Sequence, residues 1–210
     1  MRTRIKICGL TREADVAAAV AAGADAVGFN CYPKSPRHVA PARLRVLARS
    51  LPPFVTPVLL FVNAAADLID DALEAVPGAM LQFHGEEHEQ ACSRYGRPYL
   101  RAVRMESGVD LLDSERMFHS AVALLADAPS EGYGGSGTAF DWNRLPARRT
   151  KPLVLAGGLE ATNVADAVRR VRPYAVDVSS GVEEAPGVKS ALRINQFVAA
   201  VQAADQGLSG

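Results

Sequence analysis

Apolar residues in this chain fall into short continuous runs, and between the runs they recur every three or four positions. Short runs read as buried strands, and recurrence near the helical period reads as amphipathic helix. The pattern predicts strands over Arg4–Cys8, Ala26–Asn30, Pro57–Asn63, Ala79–His84, Tyr99–Arg104, Ala121–Asp127, Leu153–Ala156 and Ala175–Val178. A first helix runs from a Thr11 cap to Ala22 and stops at Gly23, with Glu13 and Asp15 near its positive end. Leu44, Leu47, Ala48 and Leu51 mark a second. Asp67 caps a third, with Leu68, Ile69, Leu73 and Val76 inward. Glu86 to Tyr95 gives a weaker fourth, and Gly108 to His119, though poorly periodic, a fifth. A Gly-rich loop, Gly132 to Gly137, leads to a short helix near Asp141. Val164, Val168 and Val171 carry the next helix, and Ile194, Phe197, Val198 and Val201 the last.

Eight alternations of strand and helix point to the α/β class and a single (β/α)8 TIM barrel over residues 1–210. The structural alternative is an open doubly wound sheet, which more often has five or six strands and an early phosphate loop. Neither a linker nor a low-complexity tract interrupts the pattern.

Composition narrows the partners. The formal net charge is zero, from 23 basic and 23 acidic residues, which argues against a general nucleic-acid or membrane-surface protein. The first apolar run is short and broken by Lys6, unlike a signal peptide, and no run is long enough to span a membrane. Cys8, Cys31 and Cys92 are an odd number without close spacing, unlike a disulfide framework or a zinc site. Reduced thiols in a cytoplasmic protein are the expectation.

Barrel active sites lie at the C-terminal ends of the strands. That rule selects Cys8, Arg37, His84, Asp127 and the glycines after strands 7 and 8. Gly157-Gly158 and Ser180-Gly181 fall where barrels often bind phosphate, although tight turns alone would also explain them. Cys8 and Asp127 face each other across the mouth, a base and an acid suited to proton transfer at two atoms. Lys6 shares the face of Cys8, and its charge favours the thiolate. A small buried hydrophobe is the plainer reading of Cys8. Arg37 sits between prolines, placed to grip a carboxylate or to form a surface salt bridge. His84 is read as an orienting or acid–base group, or as a packed histidine.

Six segments, in order, carry a resemblance across nearly the whole chain. They are Lys6-Ile7-Cys8-Gly9-Leu10-Thr11, the loop from Tyr32 to Arg37, Gln82-Phe83-His84-Gly85, Gly134 to Gly137 with Phe140-Asp141-Trp142, Ala156-Gly157-Gly158-Leu159, and Asp177 to Glu183. The chain resembles the phosphoribosylanthranilate isomerases of tryptophan biosynthesis. The resemblance implies an Amadori rearrangement of N-(5-phosphoribosyl)anthranilate, with Asp127 as general acid and Cys8 as general base. It also implies that Arg37 holds the anthranilate carboxylate, that the loops at Gly157-Gly158 and Ser180-Gly181 hold the phosphate, and that Asp177 contacts the sugar. It calls for no metal or organic cofactor, a small-molecule substrate, and a monomer or homodimer. The rival expectations are another phosphosugar isomerase, an aldolase using Lys6 as a Schiff-base nucleophile, and a non-catalytic barrel that binds phosphorylated ligands.

Overall fold

The computed structural model describes residues 2–129 and 140–208. The predicted loop from Gly132 to Gly137 lies outside them. Eight parallel strands close into a barrel in chain order. They are β1 (Arg4–Cys8), β2 (Ala26–Asn30), β3 (Thr56–Phe61), β4 (Met80–Phe83), β5 (Tyr99–Arg104), β6 (Ala123–Asp127), β7 (Leu153–Leu155) and β8 (Ala175–Val178). Around them lie α1 (Glu13–Ala22), α2 (Pro41–Ala48), α3 (Ala66–Ala75), α4 (Glu89–Ser93), α5 (Leu111–Met117), α6 (Val164–Val171) and α7 (Ala191–Leu208). The short helix expected near Asp141 is a 3-10 turn, Trp142–Arg144. A hairpin that the pattern did not predict, β9 (Glu183–Ala185) with β10 (Val188–Lys189), stands between β8 and α7.

The predicted caps differ from those observed. Thr11 does not cap α1; its hydroxyl donates to the carbonyl of Gly187 at 2.6 Å, tying the first loop to the hairpin. Arg12 takes the N-cap position without a side-chain bond. Asp67 lies inside the first turn of α3, which Ala65 precedes. The fourth helix is shorter than its pattern because the His88 ring accepts from the amide of Ala91 and starts it late.

The pleat sorts the strand side chains onto two faces. Outward residues such as Ile7, Val27, Phe29, Leu59, Phe61 and Val176 pack on Val16, Leu44, Val168 and Phe197 of the helices. Inward residues Val58, Leu100, Leu125 and Val154, with small alanines between them, plug the barrel. Nearer the C-terminal mouth the buried residues become polar, with Lys6, Asn30, Gln82, Asp127 and Asp177. Polar groups at such depth need partners, and those partners build the site. Pairing of β1 with β8, from Arg4↔Ala175 to Ile7↔Val178, shuts the barrel.

Candidate active site

One cavity at the C-terminal mouth is lined by Cys8, Arg37, His84, Asp127, Asp177, Gly157, Gly158 and Ser180. Cys8 ends β1 and Asp127 ends β6, so the predicted acid and base do share a pocket. Gly181 is not in the lining. A Cβ there would lie 2.0 Å from the carbonyl oxygen of Leu159, so its smallness serves packing between the two loops. Gly157 has φ +80, and a Cβ on it would lie 2.2 Å from the amide nitrogen of Ala128. Glycine therefore lets the β7 loop press against the residue that follows Asp127.

The thiol sits in an ionic setting. Lys6 donates to Asp177 at 2.8 Å, and the two are register partners across the β1–β8 pairing. A Cβ on Gly28 of β2 would lie 2.7 Å from the Cys8 sulfur and 3.0 Å from the Lys6 nitrogen. The thiol and the ammonium thus occupy space that this glycine leaves free. Burial pushes the Cys8 thiol up, Lys6 pulls it down, and Asp177 pushes it up again, so it stands above its ordinary value. Burial works against the Lys6 ammonium, but Asp177 and Cys8 together raise it, so it keeps its proton. The expected help from Lys6 is present in sign, but Asp177 takes up part of it.

On the opposite wall, Asp127 Oδ1 accepts from the amide of Ala128 at 2.9 Å, and Oδ2 lies 3.0 Å from His84 Nε2. Gln82 Nε2 lies 3.3 Å from His84 Nδ1. With that amide donating to Nδ1, the ring proton sits on Nε2 and points at the carboxylate. His84 is therefore tied to the acid rather than merely packed. Gln82 Oε1 is buried and unpartnered among the described residues.

Arg37 is fixed from several sides. Asn30 Oδ1 accepts from the amide of Tyr32 at 2.9 Å, and Asn30 Nδ2 donates to Ser35 Oγ at 3.0 Å. That oxygen in turn accepts from the amide of Arg37 at 3.1 Å. Gly9 has φ +77, and a Cβ there would lie 2.6 Å from Arg37 Cδ, so glycine brings Arg37 beside Cys8. The guanidinium donates through Nε and Nη2 to Glu183 at 2.8 and 2.7 Å. This pair joins a half-buried arginine to a buried glutamate and is not the surface salt bridge weighed from the sequence. Glu183 also accepts from Lys189 at 2.8 Å.

Sequence reasoning missed Gly28, Asn30, Gln82 as a partner of His84, and the Glu183–Lys189 pair. A glycine inside an apolar strand and charged residues flanking a turn were the available signals. Cys31 and Cys92 lie away from the cavity, and burial pushes each up to about 12. No three His, Cys, Asp or Glu side chains among the described residues are grouped to hold a metal ion.

Polar side chains gathered at one mouth of a closed parallel barrel, a thiol on one wall and a carboxyl on the other, define a (β/α)8-barrel enzyme of the acid–base class. The comparisons specify which. Residues 5–200 match the family described as N-(5'-phosphoribosyl)anthranilate (PRA) isomerase, and the chain belongs to that family. It is 62% identical over 205 residues to the N-(5'-phosphoribosyl)anthranilate isomerase of Methylibium petroleiphilum, covering 98% of this chain and 96% of that one. The crystal structure of phosphoribosyl anthranilate isomerase from Thermotoga maritima superposes with a TM-score of 0.85 at 38% identity, over 96% of this chain and 99% of that one. Another crystal structure of this isomerase, in complex with reduced 1-(O-carboxyphenylamino)-1-deoxyribulose 5-phosphate, gives 0.82 at 36% identity, over 96% and 99%.

Proposed function

We propose that this chain catalyses the internal Amadori rearrangement of N-(5-phosphoribosyl)anthranilate to 1-(2-carboxyphenylamino)-1-deoxyribulose 5-phosphate in tryptophan biosynthesis. One observation carries the reading. The acid and base that the resemblance requires, Asp127 and Cys8, line one cavity in a chain that belongs to this isomerase family. A relative solved with a reduced product adds weight to the small-molecule substrate.

Asp127 protonates the furanose ring oxygen, and the C1–O bond breaks to leave a Schiff base. Its Oδ1 accepts from the amide of Ala128 and its Oδ2 faces His84, so both oxygens are held in place at the cavity wall. The Cys8 thiolate then takes the proton from C2, and the electron pair left behind neutralises the iminium as an enolamine. Tautomerisation to the ketone completes the isomerisation, with no net gain or loss of atoms or electrons. Arg37 holds the anthranilate carboxylate. Gly157, Gly158 and Ser180, which line the cavity, hold the phosphate through backbone N–H groups, and Asp177 meets the sugar while steadying Lys6.

The aldolase alternative needs a free amine at Lys6. An ammonium paired with Asp177 and raised above its usual range is a poor nucleophile. No helix among the described residues is long and apolar enough to cross a membrane. Incubation with freshly prepared phosphoribosylanthranilate, followed by fluorescence, tests the reading. Turnover is expected; binding without turnover would favour the non-catalytic barrel, and no response would overturn the assignment.

A further inference from the structure

Arginine carries five N–H groups in a rigid planar fork, with two edges that can each take a carboxylate. Glu183 occupies the side edge of Arg37, through Nε at 2.8 Å and Nη2 at 2.7 Å. Among the described residues both N–H groups of Nη1 and one of Nη2 remain, and one from each nitrogen forms the end edge. Glu183 is itself immobilised. Its Oε1 accepts from Lys189 Nζ at 2.8 Å and from the amide of Gly187 at 3.2 Å. Lys189 also donates to the carbonyl of Ser179 at 3.0 Å and to its hydroxyl at 3.3 Å. The hairpin that carries Glu183 and Lys189 thus reaches the cavity wall at Ser179 and Ser180.

We infer that Glu183, braced by Lys189, is a positioning residue that claims one edge of Arg37 so that the other edge reads the substrate's carboxylate. The inference rests on the isomerase reading above. It predicts a site that recognises a planar carboxylate by geometry, with one guanidinium shared between a protein carboxylate and a ligand carboxylate. Charge alone would predict the reverse sign for the loss of Glu183, because removing an anion should strengthen the hold on an anionic ligand. Geometry opposes that. Without Glu183 the guanidinium regains rotamer freedom. Lys189, on which burial already acts to remove the proton, loses the group that keeps it charged. The mouth therefore gains little positive charge and loses its aim.

The test uses the full-length protein and two ligands, the reduced product 1-(2-carboxyphenylamino)-1-deoxyribulitol 5-phosphate and its counterpart lacking the carboxyl group. Calorimetry gives the ratio of the two affinities. In the native protein the carboxylated ligand should bind more tightly. Glu183→Gln should cut that preference by about tenfold, equivalent to about 1.4 kcal/mol. Arg37→Lys, which keeps the charge but has no second edge, should cut it by at least as much. Glu183→Gln added to Arg37→Ala should change the ratio no further. In turnover, Glu183→Gln should raise KM for phosphoribosylanthranilate by a larger factor than it lowers kcat. If Glu183 served folding only, both ligands would weaken together with the ratio preserved, and that result would overturn the inference. So would a tighter grip on the carboxylated ligand. If Glu183→Gln does not fold, Glu183→Asp gives the same reading, because its shorter side chain keeps the charge and withdraws the brace. Failure here with normal native turnover condemns the brace alone, whereas absence of native turnover condemns the isomerase reading and this inference with it.

Discussion

Replacing Lys6 with methionine removes a cation from a buried pair while keeping most of the side chain's bulk. The partners lie 2.8 Å apart, with side-chain exposures of 4% for Lys6 and 10% for Asp177. The substitution leaves the Asp177 carboxylate buried without its ion. Breaking one side of such a pair costs about 3–5 kcal/mol, because the orphaned charge keeps its desolvation penalty. For a chain of this size about 1 kcal/mol moves Tm by about 2–4 °C, so thermal unfolding should fall by about 6–20 °C. The second consequence is chemical. Lys6 is the main influence pulling the Cys8 thiol down against its burial. Its loss should shift the pH profile of Cys8 alkylation by iodoacetamide, read at that cysteine by peptide mass spectrometry, toward higher pH. The double variant Lys6→Met/Asp177→Leu, which removes both charges, should recover most of the lost Tm. An unmoved alkylation profile, or a double variant whose loss equals the sum of the two single losses, would refute the coupling argued here.

Further outcomes follow from the same geometry. Cys8→Ala and Asp127→Ala should each lose nearly all turnover of phosphoribosylanthranilate while keeping the circular dichroism of the barrel; near-native rates in either would remove that residue from the mechanism. Gly157→Ala should lower Tm, since its left-handed backbone alone costs about 1–3 kcal/mol for a side-chain-bearing residue and a Cβ would meet the backbone of Ala128. Cys31 is buried and its thiol is pushed from 9.0 up to about 12, so the folded state holds a proton that the unfolded chain gives up first. Its contribution is complete below the ordinary thiol range and declines as pH climbs toward about 12, at about 1.4 kcal/mol per pH unit. Urea titrations across that window should show Cys31→Ala with a shallower decline than the native chain, and equal slopes would contradict the assignment.

The barrel was legible because its signals are periodic and local. Ile5, Ile7, Val27 and Phe29 repeat at the strand period, and Ile194, Phe197, Val198 and Val201 at the helical one, so burial follows from spacing. The strand-end rule then placed Cys8, Asp127 and His84 at one mouth. What escaped the sequence depends on partners far along the chain. Thr11 looks like a helix cap, yet its hydroxyl finds the carbonyl of Gly187, 176 residues on. Arg37 meets Glu183 across 146 residues, and nothing near Arg37 announces it. Gly28 reads as a weak point in a strand until Cys8 and Lys6 arrive beside it from the neighbouring strand.

The pairing of β1 with β8 has a consequence in time. Lys6 and Asp177 meet across that seam, 171 residues apart in the chain. As synthesis proceeds from the N-terminus, Cys8 and Lys6 are made early, long before the strand that supplies their counter-ion. Contacts of such separation are late and slow to form. Until the seam shuts, the ammonium has no buried partner and the thiol lies open to oxidants and electrophiles. Arg37 waits in the same way for Glu183. Closure of the last strand and its hairpin therefore finishes the cylinder and sets the electrostatics of its mouth together, and a nascent chain short of them carries its thiol with no chemistry to perform.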